Sequence, residues 1–286
     1  MWIKLEDIIK SFPKRKLDSH KGTYGKILNI AGSKFYTGAA ILSSLSALKV
    51  GAGYITLACP DNISNIVASY SPDITLLPLQ NEQGCISDKN AEYIIDKSQE
   101  YDVISIGSGL SQNEKTQKFI EKIINKINKP LIIDADALNA ISMKKITLIG
   151  DKTIITPHPK ELSRLLNNAV EDIQAERIKY AQIAAKRYGC IVVLKGKDTI
   201  VTDEKDYYIN STGNSGLSKA GTGDVLTGII SGITGQQEDK HLHQAASLGV
   251  YIHGLAADIA VTESTEYSLL ASELINYIPS AIKKIK

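Results

Sequence analysis

A carboxylate placed directly behind a run of glycines can do acid–base chemistry beside a bound anion. Gly221-Thr222-Gly223-Asp224 is such a run, inside the segment Ser211-Thr212-Gly213-Asn214-Ser215-Gly216-Leu217-Ser218 to Asp224. After Asp224 apolar residues recur at helical spacing (Val225, Leu226, Ile229, Ile230, Ile233), so the glycines precede a helix start and Asp224 lies in its first turn. Glycine lets backbone N–H groups close on an anion without a Cβ in the way. The helix N-terminus adds partial positive charge. A carboxylate there repels a phosphate unless it has its own task, and taking a proton from a hydroxyl that attacks a phosphoryl group is such a task. The same residues also read as ordinary helix capping. A glycine-rich loop of this length inside a well-patterned chain favours the functional reading.

Further along the chain, several apolar runs end in polar or glycine-rich residues. Ile30-Ala31 runs into Gly32-Ser33 and Tyr36-Thr37-Gly38-Ala39-Ala40, and Ile106 into Gly107-Ser108-Gly109-Leu110. Ile133 runs into Asp134-Ala135-Asp136-Ala137-Leu138-Asn139, Ile155 into Thr156-Pro157-His158-Pro159-Lys160-Glu161, and Leu194 into Lys195-Gly196-Lys197-Asp198-Thr199. Asp134 and Asp136 could orient hydroxyls or hold a hydrated cation, and Asp136 could equally cap the next helix. His158, between two prolines, is either a ligand-facing group or a solvated one. Glu161 reads as helix-dipole complement or as a contact to magnesium through water. His241 and His243 are two residues apart, which puts them on different helix faces and excludes a shared metal. His253-Gly254 predicts close helix packing.

These ends need elements to position them. The runs predict strands at 27–31, 54–58, 74–78, 102–106, 130–134, 153–156 and 190–194, and helices at 38–49, 62–69, 88–98, 113–127, 159–166 and 170–187. Continuous apolar strands alternating with helices imply a parallel sheet covered on both faces. Ligands gather at the carboxyl ends of such strands. Residues 198–209 predict a hairpin tipped by Asp203-Glu204-Lys205-Asp206, and the chain is mostly helical from 222, ending near 267–284. No linker or repeat is visible, so residues 1–286 read as a single domain.

With 286 residues, 43% hydrophobic and 22% charged, the chain can bury a large core. Its net charge of +2 gives no footprint for nucleic acid or an anionic membrane. No stretch approaches about 18 uninterrupted apolar residues. The three cysteines, Cys59, Cys85 and Cys190, are odd in number and widely spaced, which points to reduced thiols in a cytoplasm.

Six segments together resemble the NAD(P)H-hydrate dehydratase family of the ribokinase-like superfamily. They are His20-Lys21-Gly22 to Gly25, Gly32-Ser33 to Ala39, Gly107-Ser108-Gly109-Leu110, Asp134 to Asn139, Thr156-Pro157-His158-Pro159 with Glu161, and Thr212-Gly213-Asn214 to Asp224. The resemblance implies a three-layer sandwich with a mostly parallel central sheet and helices on both faces. It also implies nucleotide-dependent dehydration of the S-form of hydrated NADH or NADPH, with ADP (or ATP) and Mg2+. By the same resemblance Asp224, Gly221 and Gly223 are catalytic. Ala39, Gly109, Asn139, His158 and Asp224 meet the hydrated cofactor, while Lys195, Gly196, Lys197, Asp198, Thr199 and Gly223 meet the nucleotide. Glu161 reaches the metal through water. A homotetramer is expected, as is functional pairing with a separate epimerase, because the residues before His20 are too few for an epimerase domain. No nucleic-acid or membrane partner is expected.

Two departures bear on this. Related vitamin kinases carry Asn where His158 stands, which favours the dehydratase. The family pattern Gly-Asn-Pro-Gly-Met-Ala is replaced here around Asn214-Ser215-Gly216-Leu217-Ser218. The alternatives are a kinase of the same fold acting on thiazole or pyrimidine alcohols, and a non-catalytic nucleotide-binding protein.

Overall fold

The computed structural model describes residues 2–147, 150–237, 239 and 241–286. The chain begins with α1 (Leu5–Lys10) and β1 (Lys26–Ile30), followed by α2 (Thr37–Lys49), β2 (Tyr54–Pro60), α3 (Asp61–Tyr70) and β3 (Thr75–Leu79). A short ribbon of β4 (Asn81–Glu82) and β5 (Cys85–Ile86) precedes α4 (Ala91–Ser98). Strand–helix alternation resumes with β6 (Val103–Ile106), α5 (Glu114–Ile123), β7 (Leu131–Ile133), α6 (Ala135–Lys144), β8 (Thr153–Ile155) and α7 (Pro159–Leu166). Then come α8 (Val170–Ala175), α9 (Arg177–Tyr188), β9 (Ile191–Leu194) and the hairpin of β10 (Thr199–Thr202) and β11 (Tyr207–Asn210). Three helices close the chain: α10 (Thr222–Gln236), α11 (Leu242–Glu263) and α12 (Ala271–Ile285).

The main sheet has nine strands in the order β11-β10-β9-β8-β7-β6-β1-β2-β3. β1–β3 and β6–β9 are parallel, while β10 and β11 are antiparallel additions at one edge. Successive side chains leave opposite faces of a strand, and both faces here are dry. Leu28, Ile104, Leu131, Ile155 and Val192 enter one core, and Ile27, Val103, Ile132, Ile154 and Val193 enter the other. The first core is covered by α4–α9, the second by α2 and α10–α12. This is the expected three-layer arrangement. One helix, α11, is long and apolar enough to cross a membrane by length and composition. Its apolar stretch is 67% buried within the fold, which accounts for its character.

The main differences from the sequence reading are local. The predicted helix 170–187 is interrupted at Glu176 (φ −131°, ψ 54°), which the apolar spacing passes over. The β4–β5 ribbon was not predicted, and α6 was anticipated only as the helix that Asp136 could cap, without bounds. α6 is short and starts among residues read as a polar strand end. Asp136 does not cap it: Asp134 holds the N-cap position, and Asp136 accepts a hydrogen bond from Ser111 N–H at 2.8 Å.

Candidate active site

Because β1 and β6–β9 run in parallel, the five polar strand ends meet on one rim. Its floor is a buried ion pair. Lys195 Nζ, after β9, lies 2.7 Å from Oδ1 of Asp134, after β7. The Thr156 hydroxyl donates to the same oxygen at 2.7 Å, and Thr227, one helical turn after Asp224 on α10, donates to Oδ2 at 2.8 Å. Burial alone would raise the Asp134 carboxyl, but the ammonium and the two hydroxyls hold it below the usual value. Lys195 is the converse: burial pulls it down, and Asp134 and Glu161 keep it above its ordinary value and charged. Asp134 therefore orients protein hydroxyls and a protein cation. It is not open to an external hydrated ion, contrary to one sequence expectation.

Gly221 is left-handed at φ 93°, which lets the loop turn sharply into α10; a Cβ there would sit 2.7 Å from Leu42 Cδ1 and 2.9 Å from Ala271 Cβ. The turn is held from below by α11. The buried His253, which burial pulls down to about 4 and so keeps neutral, donates Nε2–H to Thr222 O at 2.9 Å. Neighbouring Gly254 packs on the backbone of Thr212, so the close approach at this glycine is to the 211–214 loop and not to another helix as the sequence predicted. Asp224 follows, half-buried. Burial, then the charge of Asp134, pushes its carboxyl up to about 6 against the pull of the Ser108 hydroxyl and Lys195. The Ser108 hydroxyl is itself buried, makes no hydrogen bond of ordinary geometry, and faces Asp224.

Ser108 leads to Gly109 (φ 65°). A Cβ on Gly109 would lie 2.7 Å from the Ala39 Cβ, so the structure brings Ala39 and Gly109 together beside Ser108. On the other flank His158 is the N-cap of α7. Its Nδ1 accepts from Glu161 N–H at 3.2 Å, and Glu161 Oε2 accepts from His158 N–H at 2.7 Å. The imidazole stays 46% exposed, and burial with the nearby Lys195 charge pulls it down to about 4. It is thus both a structural cap and an available neutral ring. Asn139 accepts from Arg164 Nη1 at 2.7 Å, which ties α6 to α7.

A cavity of about 460 Å³ opens between the β9–β10 turn, the 210–218 loop and α11. Lys195, Gly196, Lys197, Asp198, Thr199 and Gly223 all line it, and Asp224 does not. Gly223 thus faces the cavity while the next residue, Asp224, lies outside its lining, with Lys195 Nζ 3.6 Å from where a Gly223 Cβ would stand. The two lysines separate in role: Lys195, its side chain 19% exposed, lies at the floor, and Lys197 is exposed at the mouth. The loop is clamped by Asp258 of α11, which accepts from Gly213 N–H at 2.9 Å and Asn214 Nδ2 at 3.0 Å. Sequence reading missed Asp258, Thr227 and Arg177. A visible signal existed for Asp258, the one carboxylate between Leu242 and Thr262.

Among the described residues no group of three or more His, Cys, Asp or Glu side chains is placed to hold a metal. Glu161, buried and pushed by burial up to about 7, has its Oε2 engaged by His158 N–H with Lys195 Nζ at 3.9 Å. One such carboxylate with an oxygen already engaged is not a cage for a metal ion.

The family pattern of NAD(P)H-hydrate dehydratases matches residues 27–280. The chain is 36% identical over 278 residues to a bifunctional NAD(P)H-hydrate repair enzyme of Moorella thermoacetica, covering 96% of this chain and 52% of that protein. It is 34% identical over 283 residues to an ADP-dependent (S)-NAD(P)H-hydrate dehydratase of Bacillus subtilis, covering 98% and 97%. A crystal structure of the ADP/ATP-dependent NAD(P)H-hydrate dehydratase of Bacillus subtilis, co-crystallized with ATP/Mg2+, superimposes with a TM-score of 0.83 at 32% identity, covering 98% of this chain and 97% of that one. The chain spans about half the length of the first curated relatives it matches. A pattern covering most of the chain, and a relative matched along nearly its whole length, place it in the NAD(P)H-hydrate dehydratase family.

Proposed function

We propose that this protein uses ADP to dehydrate the S-form of hydrated NADH and NADPH, restoring the reduced cofactor. The observation that carries the reading is the adjacency of Gly223 and Asp224. Gly223 lines a cavity together with Lys195, and Asp224, the next residue, is a half-buried carboxylate beside Ser108, which leads to Gly109 and its neighbour Ala39.

On this reading the adenine nucleotide lies along Gly196–Thr199, with its phosphates toward Gly223 and Lys195. The hydrated nicotinamide ring lies between Ala39, Gly109 and His158, with Asn139 at the rim. Asp224 takes the proton of the hydrate hydroxyl while that oxygen attacks the terminal phosphorus and the nucleotide leaves one phosphate shorter. The N–H groups of the 221–223 turn stabilise the charge that develops. The ring nitrogen lone pair then expels inorganic phosphate, and loss of a ring proton restores the dihydropyridine. Magnesium, when bound, would neutralise phosphate charge, and Glu161 would reach it through water. Positioning two ligands across one turn supplies much of the rate.

Recovery of the near-ultraviolet band of the dihydronicotinamide from hydrated NADH, with ADP and Mg2+ present and phosphate released, tests the reading. Accumulation of a phosphorylated alcohol from a thiazole or pyrimidine substrate, with no band recovered, would establish the kinase alternative. The relatives named bifunctional support pairing with an epimerase that interconverts the two hydrate forms. We also propose a cytoplasmic homotetramer, to be checked by cell fractionation and sedimentation.

A further inference from the structure

Arg177 opens α9 directly after the break at Glu176, and its side chain turns to the end of β9. Nη2 donates to Leu194 O at 3.2 Å and to Lys195 O at 3.4 Å, and Nη1 donates to Gln174 Oε1 at 3.2 Å. Its Nε is buried with no hydrogen-bond partner; burial pulls the group down, and the opposing charge is that of Asp198, which acts without a direct ion pair among the described residues. A partly buried guanidinium spent on neutral carbonyls is costly for stability alone.

What it grips is the start of the nucleotide turn. Gly196 has φ +138°, and a Cβ there would lie 3.1 Å from the guanidinium nitrogens, so the turn presses against Arg177. Lys195 is thereby fixed along its length. Its N–H donates to Pro157 O at 2.9 Å, its carbonyl accepts from Arg177, and its ammonium reaches Asp134. Arg177 also lines a second cavity, of about 450 Å³, on the outer side of the same turn, which Lys197 and Asp198 line as well. Lys197 and Asp198 thus border both cavities, and Arg177 braces the turn that separates them.

We propose that Arg177 is a positioning residue for the nucleotide: its guanidinium holds the Leu194 and Lys195 carbonyls so that the 195–199 turn and the Lys195 ammonium are preset for phosphate. The proposal rests on the nucleotide-dependent reading above. Nη2 serves both carbonyls while Nη1 holds Gln174, so the planar fork is used at both ends, an arrangement a single lysine ammonium does not reproduce.

The test compares Arg177→Ala, Arg177→Lys and Arg177→Gln with the unaltered protein in steady-state dehydration. Turnover by the unaltered protein is the control: without it the functional reading fails, independently of Arg177. Given that turnover, Arg177→Ala is expected to raise the Michaelis constant for ADP about tenfold, with that for hydrated NADH unchanged. Arg177→Lys is expected to behave like the alanine variant. Millimolar guanidinium chloride is expected to restore ADP affinity to the alanine variant through the open outer cavity, while sodium chloride does not. An unchanged ADP constant, equal rises for both ligands, or restoration by lysine would overturn the proposal, as would no advantage of guanidinium over sodium. If the alanine variant does not fold, Arg177→Gln, which keeps a donor of similar reach, is read by the same two constants, and equal rises overturn it.

Discussion

Lys195 Nζ stands 2.7 Å from Asp134 Oδ1, although the two residues follow strands, β9 and β7, that are not neighbours in the sheet. The strand between them, β8, contributes Thr156, whose hydroxyl donates to the same carboxylate oxygen. The pair is thus inside the sheet's carboxyl edge, with Asp134 only 2% exposed. It delivers one positive charge to the back of the glycine turn while the carboxylate beneath neutralises it.

The first expected outcome concerns that pair. Removing one partner of a buried ion pair typically costs about 3–5 kcal/mol, because the other charge is left uncompensated. Lys195→Met should therefore destabilise the protein strongly in denaturant titration. Adding Asp134→Asn to it should recover much of the loss without recovering activity. Lys197→Ala, at the exposed mouth, should raise the nucleotide constant less than Lys195→Ala does. Equal stability of Lys195→Met and the unaltered protein would remove the ion pair from the account.

Asp224→Asn should separate activity from stability. Loss of a general base typically lowers the rate about 10²–10⁴-fold. The folded carboxyl, pushed by burial up to about 6, lies above its ordinary value, so the protonated form is the one the fold prefers. Its stabilising contribution is complete below the unfolded value and is lost as pH rises through about 6. At neutral pH the neutral asparagine should therefore raise stability, by on the order of 2–3 kcal/mol if the whole shift is realised. Thermal melts near neutrality that place Asp224→Asn well below the unaltered protein would contradict this.

The same group sets a pH profile of opposite sign. The base acts only when ionised, so turnover per nucleotide bound should rise as pH increases through about 6, where Asp224 loses its proton. Stability measured over that interval should fall while activity rises. A flat rate profile across it, at saturating nucleotide, would move the base elsewhere.

His158 has two tasks that substitution can split. Alanine loses the N-cap of α7, worth about 1 kcal/mol, and also the exposed ring. Asparagine is a good N-cap and restores only the first. Affinity for the hydrated cofactor should therefore drop in both variants, while the melting temperature drops in alanine alone. Calorimetric titration showing unaltered binding by His158→Asn would leave the residue with a structural role only.

By the resemblance, Ser215 takes the place of a proline in the family pattern, and its hydroxyl donates to Glu266 at 2.7 Å. The residue is the first of a short helical turn, where proline is well tolerated. Ser215→Pro should give up this exposed hydrogen bond and offset it by restricting the unfolded chain, worth about 0.4–1 kcal/mol. The expected result is a melting temperature equal or higher and a nucleotide constant little changed. A large loss of nucleotide affinity would show that the Glu266 contact shapes the loop.

The layering of the fold was legible because continuous apolar runs such as Ile27-Leu28 and Ile132-Ile133 can only be strands buried on both faces, and the helical spacing between them leaves one topology class. The glycine turn, Asp224, and the strand ends bearing His158 and Lys195 were legible for the same reason: parallel strands bring successive carboxyl ends to one rim. The pairings were not. Asp134 and Lys195 are 61 positions apart, and nothing local distinguishes a lysine that turns inward from Lys197, two residues on, that turns out. Arg177 read as one more polar residue in a continuous helix, because apolar spacing is insensitive to a single residue leaving helical geometry at Glu176. Charge burial, hydrogen-bond partners and the shift of Asp224 to about 6 arise from groups distant in sequence that share a low-dielectric space, so only the tertiary structure decided them.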